Sequence, residues 1–192
     1  LHLMSCGNSE DKWNVEVVVK VKNAGQQKLV FEKITLDNLV PLDTQQINKD
    51  GEAIFRTQVD DFGYFFVSLS PEEKIMLVLE KGERVKVYTS IHSFSTSYDI
   101  ENSYGSELIR EIEQNKTSVL AKIDSLGTIW ANEKEGDSSV VVKSLLDSIS
   151  GIYIDEHTTF VEKLTRENAT SPAAIIAVYQ YLYPGRPLFS IE

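Results

Sequence analysis

Along the first half of the chain apolar residues recur at every second position; along the second half they recur at every third or fourth. Val15, Val17, Val19 and Val21 alternate with Glu16, Lys20 and Lys22, the period-two pattern of a strand with one buried face. Asn23-Ala24-Gly25-Gln26 interrupts it as a turn, and residues 29–35 resume the strand. Residues 39–47 follow, with Pro41 predicting an edge position or a bend because proline cannot donate to a ladder. Asn48-Lys49-Asp50-Gly51 carries an Asp-Gly turn signal, so residues 53–59 are expected to return as a hairpin. Residues 64–69 read as a strand after Asp60-Asp61-Phe62-Gly63. Residues 75–79 and 84–89 flank Glu80-Lys81-Gly82-Glu83, a second hairpin signal, and residues 97–101 read as a last short strand. About eight short strands at this spacing predict a sandwich or an open barrel.

From Gly105 the period lengthens. Leu108, Ile112, Val119, Ile123, Leu126 and Trp130 fall on one helical face, with Ser106 as the expected N-cap and an end near residues 132–136. Val142, Leu145, Leu146, Ile149, Ile152, Tyr153, Phe160 and Leu164 repeat the spacing in a second helix, capped by Ser138 or Ser139. Ser171-Pro172 reads as an N-cap followed by proline in the first turn of a third helix over residues 173–183, stopped by Pro184-Gly185. The expected fold is therefore α+β: an N-terminal antiparallel β-sandwich or open barrel of about eight strands, then a three-helix C-terminal segment. Residues 13–104 are expected to form the β domain and residues 105–192 the helical segment; residues 1–12, taken up below, are expected to be a signal remnant, lipidation site and tether.

Composition narrows the function classes. The chain has 192 residues, 42% of them apolar, enough for a real core in one domain or two small ones. Lys and Arg number 19 against 29 Asp and Glu, a net charge of −10 that argues against nucleic acid as the main partner. The acidity is spread over both halves, as on a solvated surface. A single cysteine excludes an internal disulfide and, with three histidines, leaves little for a transition-metal site. No apolar run reaches the roughly 18 residues of a spanning helix.

The first residues carry an address. Leu3-Met4-Ser5-Cys6 resembles a bacterial lipoprotein signal, in which the peptide before the cysteine is removed and the cysteine carries the lipid. Cys6 is thus the expected lipidation site, several acyl chains giving stable anchoring where one does not. The expected location is the cell envelope, lipid-anchored in the outer membrane and facing the periplasm or the exterior. Asn8-Ser9-Glu10-Asp11 looks like the acidic tether of Bacteroidetes lipoproteins, which favours surface display.

Candidate chemistry is sparse. His2 precedes the expected cleavage site, and His92 lies in a polar loop. His157 lies mid-helix with no histidine or cysteine at i±4, so it is expected on the surface or partly packed, not on a metal. Asp60-Asp61 and Asp50-Gly51-Glu52 lack the alternating oxygen ligands of a calcium loop and read as turns. No G-x-S-x-G elbow and no Gly-rich phosphate loop occurs. Tyr64, Phe65 and Phe66, consecutive in a strand, must point to both faces, and Tyr179, Tyr181 and Tyr183 would spread around a helix. Asp124-Ser125-Leu126 and Asp147-Ser148-Ile149 match the short Bacteroidetes O-glycosylation pattern, making Ser125 and Ser148 candidate acceptors. No catalytic residue, metal or cofactor is expected.

Several motifs in order resemble the amino-terminal half of Bacteroidetes thioredoxin-like thiol–disulfide oxidoreductase lipoproteins. In these a domain of unknown function precedes a redox domain of the alkyl hydroperoxide reductase/thiol-specific antioxidant type. Gly51-Glu52-Ala53-Ile54-Phe55 is similar to the family's "G-x-F-x-F" strand opening, with Ala53 departing from the aromatic. Residues 64–69 and 75–87 resemble the next strands, Gly105-Ser106-Glu107-Leu108 resembles the "G-S" opening of the helical region, and residues 168–177 resemble the last helix before the redox domain. The family's activity sits in a Cys-x-x-Cys pair, which this chain does not contain, so only Cys6 carries over. The resemblance implies a non-catalytic, lipid-anchored accessory region whose partners are the membrane and a downstream thioredoxin-like domain. The competing expectation is a stand-alone envelope lipoprotein binding a ligand, peptide or glycan through its sandwich.

Overall fold

The computed structural model describes residues 13–133, 139–183 and 186–187. Its first part is a sandwich of two four-stranded sheets followed by helices, not a closed barrel. The strands are β1 (Val15–Lys22), β2 (Lys28–Ile34), β3 (Leu39–Gln46), β4 (Glu52–Thr57), β5 (Phe62–Ser68), β6 (Lys74–Glu80), β7 (Arg84–Ser90) and β8 (Asp99–Glu101). One sheet has the order β4-β1-β7-β8 and the other β3-β2-β5-β6. All pairs are antiparallel except β1 with β7, which runs parallel.

The alternation places the core as the pattern predicts. Val15, Val17, Val19 and Val21 of β1 and Val85 and Val87 of β7 face Leu29, Phe31, Phe65, Val67, Leu77 and Leu79 of the other sheet. Phe31 stacks between Phe55 and Phe65, with ring centroids 5.2 and 5.1 Å away. Pro41 does lie on an edge strand, beside a bulge where Phe31 opposes Asp43 and Glu32 opposes Pro41.

Both expected hairpins are instead crossings between sheets. β3 pairs with β2 while β4 pairs with β1, so the Asp50-Gly51 turn carries the chain across the sandwich. Likewise β6 pairs with β5 and β7 with β1, so Gly82 turns a second crossing. A turn signal states that the chain reverses; it does not state which sheet receives the next strand. At Gly51 (φ +79°) the Val21 N–H donates to the Gly51 carbonyl at 2.8 Å, and a Cβ there would lie 2.9 Å from the Val21 oxygen. Glycine is required on both counts.

The helical part holds α1 (Tyr104–Glu133), α2 (Ser139–Glu167) and α3 (Ala173–Val178). α1 starts before Ser106, so Ser106 is not its N-cap, and the capping expected of Ser138 lies outside the described residues. The third helix stops at Val178 rather than residue 183, because Tyr181–Tyr183 pairs as β9 with β10 (Arg186–Pro187). Tyr179, Tyr181 and Tyr183 therefore do not share one helix. At the start of α3 the cap position belongs to Pro172, while the Ala173 N–H donates to Ser171 Oγ at 3.3 Å.

Ser106 has a different task. Its hydroxyl accepts from the Val78 N–H at 3.0 Å and reaches the Val78 carbonyl at 3.0 Å, satisfying the free edge of β6. Ser103 stands 2.8 Å from Ser106 Oγ, 3.1 Å from the Val78 oxygen and 3.0 Å from Glu83. Gly105 permits the approach, since a Cβ there would come within 3.1 Å of a Val78 methyl. Around this seat Val78 packs with Leu108, Ile109, Ile112, Val161, Leu164, Ala173 and Ala177 in a second core. Tyr64 joins the rim and donates to the Pro172 carbonyl at 2.9 Å.

Candidate functional site

The sandwich has two unlike ends. At one, the chain comes in through Trp13, whose ring lies between Arg56 and Arg84 at 4.9 and 4.6 Å. Arg84 also donates to the Asn14 carbonyl at 2.7 Å. α1 starts at this same end, where Asn102 donates to the Arg84 carbonyl at 3.3 Å. It then runs toward the other end: Arg110 meets Asp99 at 2.9 Å and Gln114 donates to the Tyr98 carbonyl at 3.2 Å. Residues 115–133, about 28 Å of helix at 1.5 Å each, continue α1 in the same direction and pack on α2.

The far end carries an open cleft of about 760 Å³. Lys20 and Lys22 of β1 and Tyr88 and Ser90 of β7 make its floor, since Lys20 registers with Tyr88 and Lys22 with Ser90. The β3–β4 crossing with Lys49 and Asp50 makes one wall, and Ser93, Ser97 and Asp99 make the other. The second wall is latched: Thr89 Oγ1 donates to the Phe94 carbonyl at 2.8 Å, and the Ser90 hydroxyl caps the single 3-10 turn Ile91–Ser93 through the His92 N–H. Lys20 is paired with Glu52 at 2.8 Å and Asp99 with Arg110, whereas Lys22 and Lys49 form no ion pair with a described residue. The Tyr88 phenol reaches Glu101 at 3.1 Å, which fixes the ring, and burial together with that carboxylate raises its pKa.

A second polar cluster lies under α2. His157 is 1% exposed, which corrects the surface or partly packed position expected of it. Its Nδ1 meets Asn115 Oδ1 at 2.5 Å, and its Nε2 is buried with no partner among the described residues. Burial holds its pKa below the ordinary value; Lys116 pushes the same way and Glu113 opposes. Glu113 accepts from Gln180 at 2.7 Å and pairs with Lys116 at 2.6 Å. Tyr98 is raised by burial first and by Glu113 second, with Arg110 acting against them. Glu83, half-buried beside Ser103, is raised chiefly by burial, although the Glu80 N–H and the Ser103 hydroxyl partly offset it.

Of the residues singled out in the sequence, Cys6 lies outside the described residues. Ser125 and Ser148 are exposed on α1 and α2, each donating to the carbonyl four residues back, Ala121 at 2.9 Å and Ser144 at 2.8 Å. Phe65 enters the sandwich core while Tyr64 and Phe66 face outward, as consecutive strand residues must. Among the described residues no group of three or more His, Cys, Asp or Glu could hold a metal, and no helix is long and apolar enough to cross a membrane. The cleft was missed in the sequence because its lining comes from three separate stretches, each reading as an ordinary turn or strand end.

These features define the class: a mixed α+β protein in which a two-sheet sandwich carries a helical layer seated on one strand edge. Residues 15–109 match the family model of a domain of unknown function (DUF4369). The match begins with β1 and ends in the second turn of α1, so it takes in the Gly105-Ser106 seat with the whole sandwich. No curated protein matches the chain.

Proposed function

We propose that this chain is the lipid-anchored, non-catalytic accessory region of a thioredoxin-like thiol–disulfide oxidoreductase of the cell envelope. The observation that carries the reading is the polarity of the molecule: Trp13 enters at one end of the sandwich, and the cleft and the α2-packed continuation of α1 lie toward the other. A tether from Cys6 would then leave the cleft and the α1–α2 tip facing away from the bilayer. The Ser103–Ser106 seat on Val78 makes sandwich and helices one stiff spacer, able to hold a following redox domain at a set distance. The match of residues 15–109 to a domain of unknown function supports the coarser part of this reading, that the sandwich is such a domain.

The anchor is tested in the native host by metabolic labelling with an alkyne palmitate. The full gene product should take up label and partition with membranes, and Cys6→Ala should lose both. Label retained in the variant, or absent from the wild type, would overturn the anchored reading. The cleft favours a second reading, in which the sandwich of an envelope lipoprotein binds a ligand; it is compatible with the spacer role and does not require the redox domain.

A further inference from the structure

We infer that the cleft at the far end of the sandwich is a binding site for an acidic saccharide, a short chain of sugar rings bearing carboxylates. The inference rests on the second reading above, that the sandwich binds a ligand, and adds the ligand's class.

In a chain of net charge −10, the cleft brings together three lysines with Asp50 and Asp99. Asp99 pairs with Arg110 and Lys20 with Glu52, and Glu101 lies on the Tyr88 phenol beside the floor, so Lys22 and Lys49 are the lining cations that form no ion pair with a described residue. Those two ammonium groups come from the floor and from one wall, so they can meet carboxylates on successive rings. Hydroxyl groups follow the same surface: Ser90, Ser93 and Ser97 offer donors and acceptors to ring hydroxyls. Asp50 and the Glu101 carboxylate on Tyr88 oppose a dense polyanion but can accept hydrogen bonds from sugar hydroxyls.

The floor supplies the apolar component. Tyr88 is half-buried with its phenol tied to Glu101, leaving a fixed aromatic ring in the cleft at little further entropic cost. The walls are likewise built before any ligand arrives, through Thr89 on Phe94 and Val21 on Gly51. The volume of about 760 Å³ falls within the usual range of small-ligand sites, about 300–1,000 Å³.

The test is an amide-detected NMR titration of the full chain with trigalacturonate, its neutral methyl ester and inorganic phosphate, at low salt. Trigalacturonate should shift the amides of Lys22, Gly25, Lys49, Gly51, Tyr88 and Ser97. Esterification, or the pair Lys22→Gln/Lys49→Gln, should weaken binding about tenfold or more, as expected for losing charge-assisted hydrogen bonds. Both lysines are exposed, so that variant keeps the fold. If the ester or the double variant binds as tightly as the acid, the acidic class is wrong while the cleft remains a ligand site. If phosphate alone gives the same shifts with the same affinity, the cleft is a simple anion site and the saccharide is wrong. If none of the three moves the cleft amides, the ligand-binding reading fails with the proposal.

Discussion

His157 shows how one buried ring can set a pH limit on a helical layer. Asn115 Oδ1 can only accept, so Nδ1 carries the proton and the neutral ring leaves Nε2 as a buried acceptor with no donor among the described residues. A second proton would place a charge beside Lys116, only partly balanced by Glu113. Because the folded-state pKa lies below that of the unfolded chain, both states are neutral above about pH 6.5, and this group does not affect stability there. As pH falls below that value the unfolded chain takes up the proton first and stability drops, levelling off once the folded pKa is passed. The urea midpoint should therefore fall between about pH 7.5 and pH 5.5, and His157→Gln should flatten that fall even if it lowers the midpoint throughout. An equal slope in the variant assigns the pH dependence to other groups. The ring's burial was not legible in the sequence. Asp155-Glu156-His157-Thr158 reads as polar, and only the packing of α2 on α1 shows that His157 points inward while its neighbours do not.

At the scale of elements, the decisive contact is between α1 and the β6 edge. The Ser106 hydroxyl takes the place of a neighbouring strand for Val78, and Gly105 lets the helix come close enough for it to do so. Ser106→Ala leaves the buried Val78 N–H without this partner, at a cost of about 1–3 kcal/mol. Chemical denaturation should read that loss as a lower midpoint, and amide exchange should show it concentrated at Val78 and the first turns of α1. A global loss with Val78 still protected would mean that the seat is not the weak point. Element types were legible because periods of two and of three to four are direct consequences of strand and helix geometry. Partnership between elements was not. Asp50-Gly51 and Gly82 mark reversals, but pairing β3 with β2 and β4 with β1 depends on which sheet completes the core around Phe31. The third helix was read too long because Tyr181-Leu182-Tyr183 follows an apolar run without a break, and only strand pairing with residues 186–187 separates it.

The whole molecule is a sandwich and a helical layer joined along one strand, with a polar cleft at one end. Its two cores meet at β6, where Leu77 and Leu79 face the sandwich interior and Val78 faces the helices, so the two layers share one strand and should move together. The order of the layers was legible in the sequence; the opposition of Trp13 to the cleft was not, since it depends on the parallel pairing of β1 with β7. Under the proposed role, that opposition would point the cleft away from an anchored tether. The redox accessory role is tested most directly by a mass-spectrometric peptide map of the native gene product from the host's membrane fraction. It predicts a lipid-modified peptide beginning at Cys6 together with peptides beyond Glu192 that contain a Cys-x-x-Cys pair. A product whose last peptide ends at Glu192, or whose sequence beyond it holds no such pair, would contradict the redox accessory role and leave an envelope binding protein in its place.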